Sequence, residues 1–186
     1  DPALHGVRAL VFDVFGTLVD WRGSIAREVE AALGEVDLRL GVDAGAFADA
    51  WRDQYQPAME AVRSGRQPFS KLDVLHRRNL DVVLDALGLS GRVDEATRVQ
   101  LNLAWHRLDA WPDVSLGLRR LHEDYRVAPC SNGHIALMVA LARRNGFVWD
   151  AITGAELARD YKPQPAVYLA ACSAFGLSLE SLAAGF

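Results

Sequence analysis

Four polar signals in this 186-residue sequence could do chemistry together. Asp13 closes the apolar run Val11-Phe12 and is followed by Val14-Phe15-Gly16-Thr17, so a strand delivers a carboxylate and the chain then breaks. Ser131-Asn132-Gly133 follows an apolar stretch ending at Cys130, Lys162 precedes Pro163, and Arg52 follows Trp51. Singly, each has an ordinary reading as a turn aspartate, a turn tripeptide, a solvated loop lysine or a surface arginine. Their joint order is harder to obtain by chance, because open α/β sheets gather their sites at the carboxyl ends of the strands. Two places after Asp13 stands Phe15, not a second acid. A carboxylate with no acid beside it suits nucleophilic attack on a group whose leaving atom requires no proton.

The elements that would position these residues follow from the patterning. Val7 to Phe12 is nearly continuous in apolar residues, which predicts a strand buried on both faces. From about residue 24 to residue 108 the pattern is helical, with no strand signal. Ser24 can cap a helix toward Leu33 that stops at Gly34. Phe47, Trp51, Tyr55, Met59 and Val62 form a helical stripe that Pro57 should kink or restart. Ser70 with Asp73 resembles a capping box ahead of a leucine-rich helix ending at Gly88, and a further helix covers about Asp94 to Leu108. After Trp111-Pro112 helix and strand alternate: helix Leu116–Asp124, strand Tyr125–Cys130, helix His134–Asn145, strand Trp149–Thr153 and helix Gln164–Phe175. Pro129 should sit where the ladder is already ending, since an internal strand position needs its N–H. The order predicts an α/β protein with a parallel, Rossmann-like core (residues 1–20 and 111–186) and an inserted helical cap domain (residues 21–110).

Composition narrows the class. A hydrophobic content of 51% with 24% charged residues describes a globular chain, and a net charge of -4 leaves no basic footprint for nucleic acid. Cys130 and Cys172 lack metal or redox spacing and are expected as buried thiols. No run approaches the ~18 apolar residues of a membrane span. With no signal-peptide pattern at the start, the expected location is the cytoplasm.

The motifs resemble those of the haloacid dehalogenase superfamily and, within it, the L-2-haloacid (type II 2-haloacid) dehalogenases. Phe12-Asp13-Val14-Phe15-Gly16-Thr17 resembles the first motif, Cys130-Ser131-Asn132-Gly133 the second, and Tyr161-Lys162-Pro163 with Tyr168 the third. Trp51-Arg52 resembles the cap segment that carries the halide-binding arginine. The resemblance implies hydrolytic dehalogenation of short L-2-haloacids to 2-hydroxy acids through an aspartyl ester. It implies Asp13 as nucleophile, with Thr17, Arg52, Ser131, Asn132, Lys162 and Tyr168 in the catalytic set. Phe15, Gly16 and Phe69 would line the substrate pocket. No metal and no cofactor are implied, because Lys162 would do the neutralising that Mg²⁺ does in related phosphatases. The only partner expected is a small 2-haloalkanoate, and homodimerisation is an expectation from the resemblance.

Two departures stand out. The family's fourth motif places an Asn and an Asp after the next strand, whereas this sequence ends at Leu182-Ala183-Ala184-Gly185-Phe186, about where that strand should begin. The C-terminal part of the core is therefore expected to be missing, and no residue is assigned to those roles. Asp53 and Gln56 also put polar groups near Arg52. The competing readings are a haloacid dehalogenase-like phosphatase, which Phe15 disfavours, and a non-catalytic truncated member of the family.

Overall fold

The computed structural model describes residues 5–40 and 43–185 of the chain, with side chains for 5–34 and 43–183. From the amino end it runs through strands β1 (Ala9–Phe12) and β2 (Val19–Asp20). Helices α1 (Trp21–Leu40), α2 (Ala44–Asp53), α3 (Tyr55–Arg63), α4 (Leu72–Ala86) and α5 (Glu95–Asn102) follow, then a 3₁₀ turn at Leu103–Arg107. The chain continues with β3 (Asp109–Ala110), α6 (Val114–Asp124), β4 (Arg126–Ser131), α7 (Ile135–Asn145), β5 (Thr153–Gly154), α8 (Ala155–Ala158), α9 (Pro165–Phe175) and β6 (Leu182–Gly185). It divides into two compact units, Asp1–Asp20 with Asp109–Phe186, and Trp21–Leu108. The division falls at 108/109 rather than 110/111 because Asp109–Ala110 pair antiparallel with Val19–Asp20.

The first unit is an α/β layer structure. Its four-stranded sheet has the order β5-β4-β1-β6, parallel throughout. From β1 the strand order runs one way through β4 and β5, then returns to the other side of β1 with β6. Asp13 therefore leaves β1 at the carboxyl end of the strand where the order reverses, the position at which such sheets bind ligands. Residues 182–185, which the sequence puts about where the next strand begins, are that strand, in register from Ala9↔Leu182 to Phe12↔Gly185. Val11, Ala128, Cys130, Val167 and Ala171 form a buried cluster joining the sheet to α9. Each large apolar side chain so buried contributes roughly 1.5–3 kcal/mol.

Pro129 is the last residue of β4 in register with β1, opposite Phe12, and pairing with β5 begins one residue later at Cys130↔Thr153. The ladder hands over at the residue that cannot donate, and the Thr153 hydroxyl donates to the Pro129 carbonyl (2.6 Å). The strand expected over Trp149–Thr153 shrinks to Thr153–Gly154. The Asp150 carboxylate accepts the Val127 N–H (2.8 Å) while Asp150 N–H donates to the Val127 carbonyl (2.9 Å). A side chain thus takes a donor that a regular ladder would use.

The second unit is helical, and no strand interrupts it among the described residues. Asp43 caps α2 by accepting from Ala46 N–H (2.6 Å), and Asp94 caps α5 through Thr97 N–H (2.8 Å). Pro57 sits in the first turn of α3, so the helix restarts around it instead of continuing from α2. Two expectations fail here. Helix α1 begins at Trp21 and continues through Gly34, since a helix with good flanks tolerates the roughly 1 kcal/mol that a glycine costs. The cap expected at Ser70 falls one residue later: Lys71 is the N-cap of α4, and the Asp73 carboxylate lies against His106 Nε2 (2.9 Å). The helix expected over Asp94–Leu108 is α5 followed by the 3₁₀ turn. No helix among the described residues is long and apolar enough to cross a membrane.

Candidate active site

The α/β unit brings together five of the residues singled out in the sequence. Asp13 Oδ1 accepts from Lys162 Nζ at 2.6 Å and Asp13 Oδ2 from the Thr17 hydroxyl at 2.9 Å. Both side chains of the ion pair are largely covered, at 13% exposure for Lys162 and 25% for Asp13. A charge-assisted bond in partial burial is about twice as strong as a neutral one, so the carboxylate is held with a defined orientation. The next link is to the second strand-end loop, where Asn132 Oδ1 accepts the Lys162 backbone N–H (2.8 Å). Ser131 is fully buried, and its hydroxyl accepts from Gly133 N–H (3.0 Å). That bond occupies a lone pair and leaves the hydroxyl proton able to donate.

Local sequence explains how each group is delivered. After Asp13 the backbone folds back on itself: Leu18 N–H donates to Val14 O (2.9 Å) and Gly16 N–H to Val19 O (3.0 Å). Gly16 has φ +92°, a conformation that a side chain would strain. Phe15 is buried at 8% exposure and bridges to Val19, so the slot where a second acid would stand holds an apolar ring. Tyr168 lies half-buried on α9 beside the cluster of Val167 and Ala171. Burial raises its phenol pKa, and the Cys130 and Asp13 charges push the same way, so the hydroxyl stays protonated. Burial also drives the Cys130 thiol up to about 11, against the pull of Lys162.

The supporting residues were not apparent in the sequence. Gly154, with φ +122°, packs so tightly that a Cβ there would overlap the Ser131 carbonyl oxygen. Glu156 Oε2 accepts Ile135 N–H (2.7 Å) at the start of α7, fixing the far side of the Ser131–Gly133 loop and complementing the helix dipole. The Trp111 indole N–H donates to Gly16 O (3.2 Å). A short strand ending in Thr-Gly and a lone Trp-Pro carry no local signal of such duties.

Arg52 and Phe69 belong to the helical unit. Phe69 is half-buried in the loop between α3 and α4. Arg52, near the end of α2, lays its guanidinium over the Tyr55 ring, 3.8 Å from Cζ to the ring centroid, with the Trp21 ring at 5.2 Å. Its half-buried, ring-faced setting differs from that of a solvated surface arginine. Gln56 accepts from Arg63 Nη2 (3.3 Å), so one of the two polar neighbours noted in the sequence is engaged elsewhere.

A family model for haloacid dehalogenase-like hydrolases matches residues 7–184. The chain belongs to that family. Its membership reaches the L-2-haloacid dehalogenase branch, because it is 42% identical, with a TM-score of 0.91, to the defluorinating L-2-haloacid dehalogenase Rha0230, covering 96% of this chain and 72% of that one. The L-2-haloacid dehalogenase PA0810 is also 42% identical, with a TM-score of 0.87 and coverage of 96% and 75%. Among curated proteins, (S)-2-haloacid dehalogenase 4A of Burkholderia cepacia is 28% identical over 178 residues, 94% of this chain and 72% of the relative.

Proposed function

We propose that this chain catalyses the hydrolytic dehalogenation of short L-2-haloacids to 2-hydroxy acids, without a metal. The observation that carries the reading is the Asp13 carboxylate held between Lys162 Nζ and the Thr17 hydroxyl, with Phe15 where a proton donor to a leaving alkoxide would stand. A halide leaves as a weak base and needs no proton, so the missing acid is no handicap to the step that expels it. An Asp13 oxygen attacks C2 with inversion. The C2–O bond forms as the carbon–halogen bond breaks, and the halide departs with the electron pair. Water then adds to the Asp13 carbonyl carbon and the ester's acyl C–O bond breaks; one water proton ends on the departing oxygen, giving the 2-hydroxy acid, the other goes to solvent, and the carboxylate is restored.

The other residues take roles that suit their surroundings. Lys162 offsets the negative charge gathered when the substrate carboxylate approaches Asp13, the task a divalent cation performs in phosphatases. Ser131 and the turn N–H groups suit the substrate carboxylate, while Asn132 and Arg52 suit the departing halide. Tyr168, protonated, offers a donor, and Phe15, Gly16 and Phe69 are apolar or small groups that suit a short acyl chain. The helical unit is then the cap domain, and the setting is the cytoplasm.

The test is a direct comparison of products. The protein should release chloride from L-2-chloropropionate at a rate that EDTA leaves unchanged. Mg²⁺-dependent phosphate release from an aryl phosphate, with no halide release, would reject the proposal in favour of phosphatase chemistry.

A further inference from the structure

The rings that face Arg52 are part of a longer column inside the helical unit. Tyr55 stacks on His76 (centroids 6.2 Å apart, 27° between planes), and His76 on Trp105 (4.1 Å, 19°). Trp105 in turn stacks on Trp21 (6.4 Å, 18°). The column therefore starts and ends at the two rings against the guanidinium. Trp51 braces it from the side, edge-on to His76 and Trp105, and its indole N–H donates to the His76 carbonyl (2.9 Å). Tyr55 is 4% exposed and His76, Trp51 and Trp105 are each 1% exposed, so none of the four has room to reorient freely.

A long arginine side chain has many rotamers, and one used to receive an anion must have its donor fork aimed beforehand. A guanidinium lying over an aromatic face keeps its five N–H groups in its own plane, so the ring decides the plane in which they point. We infer that Tyr55 and His76 are positioning residues for Arg52. Tyr55 is the platform, and His76, wedged between Tyr55 and Trp105, fixes the tilt of that platform. The inference rests on Arg52 being the halide-binding arginine of the proposed reaction. It assigns a duty to a buried imidazole that the chemistry at Asp13 does not use.

The test combines NMR and kinetics on the full chain. The Arg52 Nε–H signal, identified by its loss in Arg52→Lys, should be shielded by the Tyr55 ring and lie upfield of the other arginines. In Tyr55→Leu it should move to the position of ordinary arginines, and in His76→Leu part of the way. Both variants should lose about 10- to 100-fold in kcat per folded molecule, with KM changed little, because the aim of the halide donor is felt in the transition state. Tyr55→Phe and His76→Phe, which keep the rings, should retain the shift and most of kcat. An unshielded Arg52 signal in the wild-type protein would overturn the inference, and so would leucine variants that fold and keep both the shift and kcat. A near-normal kcat in Arg52→Lys would instead overturn the halide reading, with the wild-type shift still deciding whether the column holds the guanidinium.

Discussion

Asp13 in the α/β unit and Arg52 in the helical unit are held by different means. Asp13 is fixed by two hydrogen bonds from groups at the ends of neighbouring elements, and Lys162 is tied in turn through its backbone to Asn132. Arg52 lies against ring faces, with aromatic packing behind them. Hydrogen bonds fix an atom along a direction, whereas stacking fixes a plane and leaves rotation within it. A nucleophile must reach one carbon along one line. A halide acceptor must only present donors over a region where charge develops. The two kinds of anchoring match those two demands.

The largest effect should come from Asp13 and the next from Arg52. Asp13→Asn should abolish halide release, a loss on the order of 10⁴-fold or more, because no other group can form the ester. Arg52→Lys keeps the charge but loses the planar fork, and should cost about 10²–10³ in kcat, or roughly 3–4 kcal/mol, with folding little changed. Steady-state halide release, with circular dichroism to verify folding, checks both. If Arg52→Lys proved as damaging as Asp13→Asn, the contrast between a rigid nucleophile and a tolerant acceptor would fail.

Smaller effects sharpen the contrast on the side of the scaffold. Gly154→Ala puts a Cβ into the Ser131 carbonyl at φ +122° and should destabilise the fold by about 1–3 kcal/mol, read as a lower Tm. It should also lower kcat, since Ser131 must shift. Cys130 gives a pH prediction. Burial raises the folded thiol from 9.0 to about 11, so the native state holds its proton when the unfolded chain has lost it. Stability from this group is present below pH 9 and is lost as pH rises toward 11, by at most about 2 to 3 kcal/mol. Urea titrations should show that Cys130→Ala removes that part of the decline, and an unchanged slope would contradict it.

What could be read in the sequence were the groups whose signals are local. Asp13 and Ser131 each follow an apolar run at a turn, and Lys162 stands just before Pro163, so strand patterning and turn chemistry place them without knowledge of the partner. Arg52 was found by motif resemblance, but nothing in the spacing of Tyr55, His76 and Trp105 says that their rings form one column. That is decided by the packing of α2, α3, α4 and the 3₁₀ turn. Gly154 escaped notice for the same reason, because its requirement comes from Ser131 on another strand. The start of α4 was misplaced by one residue, at Ser70 instead of Lys71, and nothing in the local sequence signals that Asp73 meets His106, 33 residues away. The strand over Trp149–Thr153 was overextended because Asp150 spends its carboxylate on Val127. Each of these features depends on a residue distant in sequence, which no local pattern reports.

The central claim is that Asp13 forms a covalent ester which water then opens at the carboxyl carbon. Its most direct test is a single turnover of excess protein with an L-2-haloacid in ¹⁸O-labelled water, followed by peptide mass spectrometry. The account predicts one labelled oxygen on Asp13 and unlabelled product. Label found only in the hydroxyl of the 2-hydroxy acid, with Asp13 unlabelled, would mean that water attacks the substrate directly, and would contradict it.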